Sequence, residues 1–346
     1  MDVKLFDYDL PQELIAETAV ARGDSRMMVL DRKKRTIIHT EFKDLLNYID
    51  DHTTMVFNST KVIAARLFGK RETGGKVEFL LVKPEKNDAW EVMIKASKRL
   101  YKGEIISLES GLNAEIISRD GLSSFVKFNM DNDNLHKYLE KFGDVPLPPY
   151  ILKKRNEKIS RPEDRERYQT VYAGTPGSVA APTAGLHFSD KIMTDIKKKC
   201  AGHVEEVVLD VGLGTFMQVK TEDLTKHKMH EEHFFISQST AENLNRDKKA
   251  GRKMLAVGTT TVRSLESAVS VSGQIEKSDR DTGIFIYPGY KFKFADKILT
   301  NFHLPQSTLL MMISAFADRD FILEAYEEAV KEKYRFYSYG DCMLII

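Results

Sequence analysis

Cysteine, net charge and long apolar runs are nearly absent from this 346-residue chain. The two cysteines, Cys200 and Cys342, lie far apart and lack the spacing typical of a metal site. We therefore expect a protein of the reducing cytoplasm. The formal net charge of +1 gives the chain as a whole no electrostatic preference for nucleic acid.

No uninterrupted run of about 18 apolar residues occurs, so we expect no membrane-spanning helix. The opening residues, MDVKLFDYDL, alternate charged and apolar side chains and lack the apolar region of a secretory signal. The composition, 42% hydrophobic and 30% charged, is that of an ordinary globular protein, and the length favours two domains.

Positive charge is concentrated locally in three clusters. A single cluster is usually a solvated face, whereas several clusters on one side of a molecule would indicate an anionic partner. The sequence leaves both interpretations open. The clusters are Lys153, Lys154, Arg155, Lys158, Arg161, Arg165 and Arg167; Lys197, Lys198 and Lys199; and Lys248, Lys249, Arg252 and Lys253.

Residues 66–130 have the pattern of short β-strands almost throughout, and a helix is predicted to follow from about Asn134 to Phe142. Apolar residues alternate with polar ones around 77–81 and 90–94, and turn-forming residues separate these stretches. This spacing predicts a small antiparallel barrel or sandwich. The following VPLPPY segment, residues 145–150, contains three prolines and predicts a domain junction, because it continues neither a helix nor a strand.

The rest of the chain alternates strands with helices, which predicts an α/β domain. Early strands near 27–31 and 55–58 belong to the same layer, so this main domain is discontinuous: residues 1–65 and 150–346 flank the inserted β-barrel domain at 66–149. Its other predicted elements are strands at 204–211, 253–257, 284–287 and 343–346, helices that begin at Ser189, Ser239 and Thr261, and helices at 307–316 and 320–333.

Two loops rich in small residues follow strand-like stretches and predict a binding pocket. They are APTAGLHF, residues 181–188, and VGLGTF, residues 211–216. Small residues let the backbone approach a ligand, and the first loop leads into a helix N-terminus, which offers free N–H donors. With Thr183, His187 and Thr215 in these loops, the chain is interpreted as an enzyme.

Further polar segments are candidates for chemistry. The turn at 258–261, Gly-Thr-Thr-Thr, would either hold an anionic group or simply cap a helix, and it lacks the lysine of a P-loop. His303 is either a general acid–base or a buried core histidine. Tyr337 and Tyr339 would either stack on a base or pack in the core.

Three histidines, His227, His230 and His233, recur at every third residue and suggest a zinc site. A helix would turn the third about 120° away from the first, and the flanking residues provide no settled outer shell of ligand partners. The spacing therefore favours surface histidines, or one catalytic histidine among them, over a metal site.

A series of motifs occurs in order along the chain: FNST-KV (57–62), ARLFG (65–69), KRL (98–100), VPLPPYI (145–151), DRERYQTVYA (164–173), APTAGLHF, VGLGTF, H-x-M-H-x-E (227–232), VGTTTVRSLES (257–267), IFIYPGY (284–290), LTNFHLP (299–305) and YRFYSYGD (334–341). This series resembles the S-adenosylmethionine:tRNA ribosyltransferase-isomerase family of the queuosine pathway, and the resemblance covers essentially the whole chain.

The resemblance implies an α/β domain with an inserted β-barrel. It also implies transfer and isomerisation of the ribosyl group of S-adenosylmethionine onto 7-aminomethyl-7-deazaguanine at the wobble position of tRNA. Epoxyqueuosine-tRNA would form, and adenine and methionine would leave. The sulfonium acidifies the neighbouring ribosyl carbon, so a positioned base begins the reaction. We therefore expect S-adenosylmethionine and tRNA as substrates, no metal, and a monomer.

The resemblance also implies roles for residues within the motifs. His187 and His303 are the first candidates for proton transfer, and Glu232 and Asp341 are the next. The residues expected to border S-adenosylmethionine are Thr183, Gly185, Gly212, Gly214, Thr215, Phe216, Thr259, Thr260 and Arg263. The residues expected to contact tRNA are Arg165, Arg167, Tyr168 and Gln169.

The chain departs from the family pattern at three places. Ser59 stands where many relatives have an acidic or amide residue, Asp210 where many have histidine, and Arg-Asp-Thr at 280–282 where many have Gly-Trp-Thr. The first two departures weaken a catalytic role at those positions. Two other classes stay open: a non-catalytic tRNA-binding module, which would release no adenine, and a metal-dependent hydrolase, which would lose activity on chelation.

Overall fold

The computed structural model describes residues 1–120, 123–212, 223–224 and 227–346, which fold into two compact units. We call the first the large unit; it contains Met1–Thr60, Gln169–Thr175 and Ala181–Ile346. We call the second the barrel unit; it contains Lys61–Tyr168 and Pro176–Ala180.

The strands are numbered along the chain. In the first half they are β1 Arg26–Asp31, β2 Thr36–Glu41, β3 Thr53–Asn58, β4 Thr60–Val62, β5 Arg66–Arg71, β6 Lys76–Pro84, β7 Ala89–Ala96, β8 Ile105–Leu108, β9 Asn113–Asp120 and β10 Ser123–Phe128. In the second half they are β11 Thr175–Ser178, β12 Val204–Leu209, β13 Glu232–Ile236, β14 Lys253–Val257, β15 Ser278–Thr282, β16 Lys297–Asn301 and β17 Cys342–Ile345.

The helices are numbered in the same way. The α-helices are α1 Asn132–Phe142, α2 Pro149–Arg155, α3 Asp164–Arg167, α4 Asp190–Lys199, α5 Gln238–Lys249, α6 Thr259–Ala268, α7 Thr308–Ala317 and α8 Arg319–Lys331. Short 3₁₀-helices lie at Val3–Phe6, Gln12–Leu14, Phe42–Asn47, Lys86–Asp88, Glu109–Gly111 and Thr183–His187. None of the helices in the described part of the chain is long and apolar enough to cross a membrane.

A mixed sheet forms the centre of the large unit. Its nine described strands lie in the order β15-β13-β12-β3-β14-β16-β17-β1-β2. Strand β3 pairs in parallel with β12 on one side and β14 on the other, and β14 pairs in parallel with β16. Every residue of β3, TTMVFN, is buried, as expected for a parallel strand that is covered on both faces.

Side chains at the helix starts fix several helices of the large unit. Ser189, Ser237, Ser307 and Asp318 each accept a hydrogen bond from a backbone N–H in the first turn of α4, α5, α7 and α8, respectively. Such a cap satisfies a donor that has no partner within the helix and stabilises the helix by about 1 kcal/mol. The local sequence therefore determines where these helices begin.

The barrel unit is built around a closed antiparallel barrel. Its six strands lie in the order β10-β7-β6-β5-β8-β9, and closure leaves the sheet without a free edge. Alternate residues of β6 and β7, such as Val77, Phe79, Trp90 and Val92, are buried. The indole N–H of Trp90 donates to Asn132 Oδ1 at 2.7 Å, which fixes the start of α1 against the barrel.

The predicted fold class, an α/β domain with an inserted antiparallel β-barrel, is confirmed. The strand predicted at 284–287 is wrong: the nearby strand is β15, which ends at Thr282. Thr282 pairs with Glu232, the first residue of β13, so the following residues have no described partner strand to continue the ladder. The helix predicted to begin at Ser239 is α5, which begins one residue earlier, at Gln238, because Ser237 and not Ser239 is its cap.

A test of the barrel packing uses Gly69 of β5. A Cβ at this position would lie 2.7 Å from Ile106 Cγ2 and 3.0 Å from Ser107 O. We expect Gly69→Ala to lower the free energy of unfolding by about 1–3 kcal/mol, because the neighbouring strand must move. Trp90 is the chain's single tryptophan, so its fluorescence during urea unfolding reports on the barrel unit.

The matched control is Gly75→Ala in the same unit. A Cβ there would meet only the flexible Arg71 side chain, with Cδ at 3.1 Å. Its unfolding midpoint should stay near that of the wild type. Equal midpoints for Gly69→Ala and Gly75→Ala would contradict the packing argument.

Candidate active site

The carboxyl ends of the parallel strands β12, β3, β14 and β16 meet at one edge of the large sheet, which we call the carboxyl edge. In open α/β sheets, ligands bind outside this edge. The segments that leave the four strands here are rich in polar and small residues. They are 210–212, 59–60, 258–261 and 302–303.

His187 of the APTAGLHF loop lies at this edge and is buried. Its Nδ1 lies 2.6 Å from Ser25 Oγ, and its Nε2 lies 3.2 Å from Asn301 Nδ2 at the end of β16. An amide NH₂ only donates, so Nε2 is the acceptor and Nδ1 carries the proton that points to Ser25. The ring also packs on Phe42, with centroids 5.2 Å apart. The two histidine-containing loops therefore adjoin each other.

Asn301 has an oxygen that is available to a ligand. Its Nδ2 also donates to Tyr337 O at 3.0 Å, while Oδ1 is buried and accepts no hydrogen bond from any described residue. A buried acceptor without a partner costs about 1–3 kcal/mol, so it is a position where a bound donor would be stabilised.

Glu232, the first residue of β13, forms a buried ion pair with Arg263 of α6. The other Glu232 oxygen, Oε1, accepts from Gly212 N at 2.9 Å, so the carboxylate ties β13 to the segment after β12. Burial lowers the pKa of Arg263 to about 10. The guanidinium also donates to Thr282 O at 3.3 Å, and its Nε has no acceptor among the described residues.

The turn between β14 and α6 leads directly into a helix N-terminus. Gly258 has φ +90°, a conformation that favours glycine, and it places Thr259 at the helix start without a side-chain cap. Helix N-termini carry free N–H groups and a positive dipole end. The buried Asn58 donates to Thr260 Oγ1 at 3.3 Å and to Leu209 O at 2.9 Å, so it joins the ends of three elements.

Asp210 is a further carboxylate at the carboxyl edge. It stands where many members of the resembling family have histidine, and it was not among the predicted site residues. Its Oδ1 accepts from Thr60 Oγ1 at 2.9 Å, and its backbone N–H donates to His233 O at 2.9 Å. Burial raises the pKa of Asp210, while the Thr60 hydrogen bond opposes this shift. The group therefore holds a proton more readily than an exposed aspartate.

His303 is buried to about the same extent as His187. Its Nε2 lies 2.9 Å from Thr300 Oγ1, and its backbone N–H donates to Tyr326 OH at 2.8 Å. Burial lowers the pKa of His303 to about 3, so the ring is neutral near pH 7. A base with so low a pKa is weak, which favours the core interpretation of this residue over proton transfer.

Asp341 is also buried, and backbone groups engage both of its oxygens. Oδ1 accepts from Arg26 N at 3.0 Å, and Oδ2 accepts from Arg335 N at 2.8 Å. Burial raises its pKa, and these hydrogen bonds oppose the shift. These two hydrogen bonds connect the loop 335–341 to the start of β1. A catalytic role for Asp341 stays a prediction.

The remaining residues predicted to bind substrate have different surroundings. Thr183 is half-buried at the start of its 3₁₀-helix, next to the buried Gly185. A Cβ on Gly185 would lie 2.1 Å from Tyr172 Oη, so the missing side chain makes room for Tyr172. Gly214, Thr215 and Phe216 lie outside the described residues.

The residues predicted to contact tRNA are largely engaged in the fold. Arg165 donates to Glu140 O at 2.5 Å and Gly143 O at 2.6 Å, which caps the end of α1. Tyr168 is 1% exposed, so its burial does not favour a contact with RNA. Arg167 is half-buried, and Gln169 O accepts from Arg22 at 2.7 Å. The four assignments stay predictions.

The three histidines of the zinc hypothesis do not form a cluster in the described part of the chain. His233 Nε2 lies 3.0 Å from Asp279 Oδ1, and His227 packs its ring on Phe285 at 5.2 Å. Burial lowers the pKa of His227. Among the described residues, no group of three or more His, Cys, Asp or Glu side chains is arranged to hold a metal ion.

The carboxyl edge thus brings together His187, Glu232, Thr259, Thr260 and Arg263 from the predicted set. It also contains partners to which sequence reasoning assigned no role. These are Ser25, Asn58, Asp210 and Asn301. An asparagine at the carboxyl end of a strand was the available signal for Asn58 and Asn301.

The chain is similar to known proteins of one family along its whole length. A family model described as "Queuosine biosynthesis protein" matches residues 3–345. A relative from Sulfurihydrogenibium sp. (strain YO3AOP1) is 49% identical over all of both chains, and one from Clostridioides difficile (strain 630) is 46% identical over all of both. Both are named S-adenosylmethionine:tRNA ribosyltransferase-isomerase.

A solved structure is also similar. The crystal structure of S-adenosylmethionine tRNA ribosyltransferase from Thermotoga maritima is 34% identical, with a TM-score of 0.55. The match covers 99% of this chain and 100% of that chain.

The low pKa of His303 predicts an acid-sensitive contribution to stability. Its folded pKa of about 3 lies below its ordinary value of 6.5, so between these values the unfolded state binds more protons. Stability is therefore lost as the pH falls through this window. From pH 7 to pH 4, the wild type should lose about 3 kcal/mol more free energy of unfolding than His303→Gln.

Urea unfolding followed by circular dichroism at several pH values measures this difference. The control is His52→Gln, because His52 is exposed and precedes β3 at the opposite edge of the sheet. Its stability should follow the wild-type pH dependence. Parallel curves for the wild type and His303→Gln would show that His303 does not remain neutral in the folded state.

Proposed function

Because the chain belongs to the family of queuosine biosynthesis proteins, we propose that it is a tRNA-modifying transferase that uses S-adenosylmethionine. It transfers and isomerises the ribosyl group onto 7-aminomethyl-7-deazaguanine at the wobble position of tRNA. The product is epoxyqueuosine-tRNA, and adenine and methionine are released. The observation that carries the proposal is the full-length similarity to relatives that bear this name.

The carboxyl edge is the proposed site for S-adenosylmethionine. The start of α6, with Thr259 and Thr260, supplies N–H donors and a positive dipole end that suit the methionyl carboxylate. Arg263 Nε and the buried Asn301 Oδ1 have no hydrogen-bond partner among the described residues. Together these groups offer both donors and an acceptor to a zwitterionic substrate.

His187 is the proposed base for the first step. With its proton on Nδ1 held by Ser25, its one lone pair is on Nε2, where the substrate C–H takes the place of the Asn301 N–H that Nε2 accepts at 3.2 Å. The sulfonium acidifies the ribosyl carbon beside it, and His187 removes a proton from this carbon. Fixed dipoles of the Asn301 amide and the α6 N-terminus stabilise the resulting zwitterion.

The other candidates fit proton transfer less well. The Glu232 carboxylate is held by Arg263 and Gly212 N, and both Asp341 oxygens accept backbone hydrogen bonds. Asp210, with its raised pKa, is a further acid–base candidate at the same edge. In an anticodon loop the wobble nucleotide leaves its stack at low cost, which lets it reach such an enclosed site.

The state of the two cysteines bears on where the reaction takes place. Cys200 and Cys342 are both free and buried, as suits a protein of the reducing cytoplasm. We therefore place the reaction in the cytoplasm.

A direct assay tests the proposed reaction. The protein is incubated with ribose-labelled S-adenosylmethionine and tRNA bearing 7-aminomethyl-7-deazaguanine. We expect label to enter the tRNA while free adenine appears in equal amount. The control is the same tRNA with guanine at the wobble position, which lacks the aminomethyl nucleophile. A wild-type protein that binds tRNA but releases no adenine would support the non-catalytic alternative.

The proposed base is tested by His187→Gln. Loss of a positioned general base lowers the rate by about 10²–10⁴-fold, and we expect adenine release to fall within this range. His52→Gln, on the opposite edge of the sheet, should keep the wild-type rate. Full turnover by a folded His187→Gln protein would remove His187 from the mechanism.

A further inference from the structure

A polar groove of about 420 Å³ lies on the barrel unit, and none of its lining residues is assigned a role above. It is formed by the end of β7, the segment that follows, and the end of β9. Among the described residues, its lining contains three cations but no carboxylate or imidazole, so these residues offer no group suited to proton transfer. The lining residues are Ile94, Ala96, Ser97, Lys98, Arg99 and Arg119.

The groove cations have no ion-pair partner in the part of the chain that the structure describes. Lys98, Arg99 and Arg119 are exposed, and none forms an ion pair with a described residue. By contrast, other arginines of the barrel unit are paired: Arg66 with Glu78 at 2.7 Å, Arg71 with Glu104 at 2.5 Å and Arg155 with Asp164 at 2.6 Å. The positive potential of the groove is therefore available to an anion.

An exposed aromatic ring lies beside the groove residues in the sequence. Tyr101 is 65% exposed, although most large apolar side chains of this unit are buried. Its backbone N–H donates to Glu104 Oε2 at 3.1 Å, which holds the backbone in place while the ring faces solvent. Cations next to an exposed aromatic side chain are typical of surfaces that hold phosphates and stack on unpaired bases.

The charge of the barrel unit favours the same class of partner. Lys and Arg outnumber Asp and Glu in this unit, while the reverse holds in the large unit, although the whole chain has a net charge of only +1. Phosphate contacts by Lys and Arg supply most of the sequence-independent affinity for nucleic acid.

We propose that this groove binds the sugar–phosphate backbone of tRNA at nucleotides other than the one that reacts, with Tyr101 stacked on an unpaired base. The identity of the RNA rests on the proposed function; the groove and its charge do not. Such contacts position the RNA without reading its sequence. The groove therefore contributes to the affinity for tRNA and leaves the chemical step unchanged.

The test compares two double variants that each remove two positive charges. Arg99→Gln/Arg119→Gln alters the groove, and Lys86→Gln/Lys127→Gln alters exposed lysines near the other end of β7. Lys127 pairs with Ala89 at the start of β7, whereas the groove lies at its end, Ala96, about 20 Å away. All four side chains are exposed, so both proteins should keep the wild-type Tm.

Binding of an unmodified tRNA transcript is measured by fluorescence anisotropy between 50 and 200 mM salt. We expect the groove variant to bind roughly tenfold more weakly and its slope of log affinity against log salt to flatten by about two, about one for each lost phosphate contact. The control variant should keep the wild-type slope. Unchanged binding by the groove variant, or equal losses in both variants, would overturn the proposal.

Tyr101 and the kinetics provide an independent test. Tyr101→Ala should weaken binding of the transcript roughly tenfold, and Tyr101→Phe should restore it, because phenylalanine still stacks. In turnover assays, the groove variant should raise KM for tRNA with kcat and KM for S-adenosylmethionine unchanged. A reduced kcat would assign the groove to the chemical step instead.

The two proposals fail in distinguishable ways. A wild-type protein whose groove-dependent tRNA binding is intact but which releases no adenine would contradict the proposed function alone. Adenine release with normal tRNA binding by the groove variant would contradict the groove proposal alone.

Discussion

The parallel pairing of β3 with β12 on one side and β14 on the other determines where the polar groups of the large unit meet. Parallel strands place their carboxyl ends at the same edge, and each chain segment that leaves the sheet there begins close to its neighbours. Reversal of a single one of these pairings would carry Asn58, Gly212 or Thr259 to the other edge. The candidate site is in this sense a consequence of strand direction.

Buried hydrogen bonding then fixes the side chains at that edge. Asn58 donates to Leu209 O and Thr260 Oγ1 and accepts from Leu209 N and Thr60 N, so its amide is fully used. Breaking such a network leaves buried groups without partners, each at a cost of about 1–3 kcal/mol. The exceptions are informative, because Asn301 Oδ1 and Arg263 Nε are buried without a described partner at the edge where a substrate would bind.

Charged groups divide into two kinds in both units. Some stabilise local structure, as Arg155 does with Asp164 and as Glu266 does by accepting from Phe294 N and Ala295 N. Others, such as Lys98 and Arg119, have no described partner and face solvent. In the basic cluster at 153–167, three arginines are bound to Asp164, Glu157 or backbone carbonyls. Part of the positive charge of this cluster is therefore neutralised within the fold, which the composition alone does not reveal.

The amino-acid sequence by itself determined the elements and much of the fold class. The alternation of β6 and β7, the Ser189 cap of α4 and the exact span of β14 all follow from neighbours within a few residues, where side-chain period and capping act. The motif loops likewise predicted that His187, Glu232 and Thr260 belong to a site. Tertiary structure alone decided what each of them touches. Asn58 meets Leu209 across 151 positions of the chain, and Ser25 meets His187 across 162. Such contacts depend on which strands pair and in which direction. The local sequence does not determine this pairing, because distant segments become neighbours only when the sheet forms.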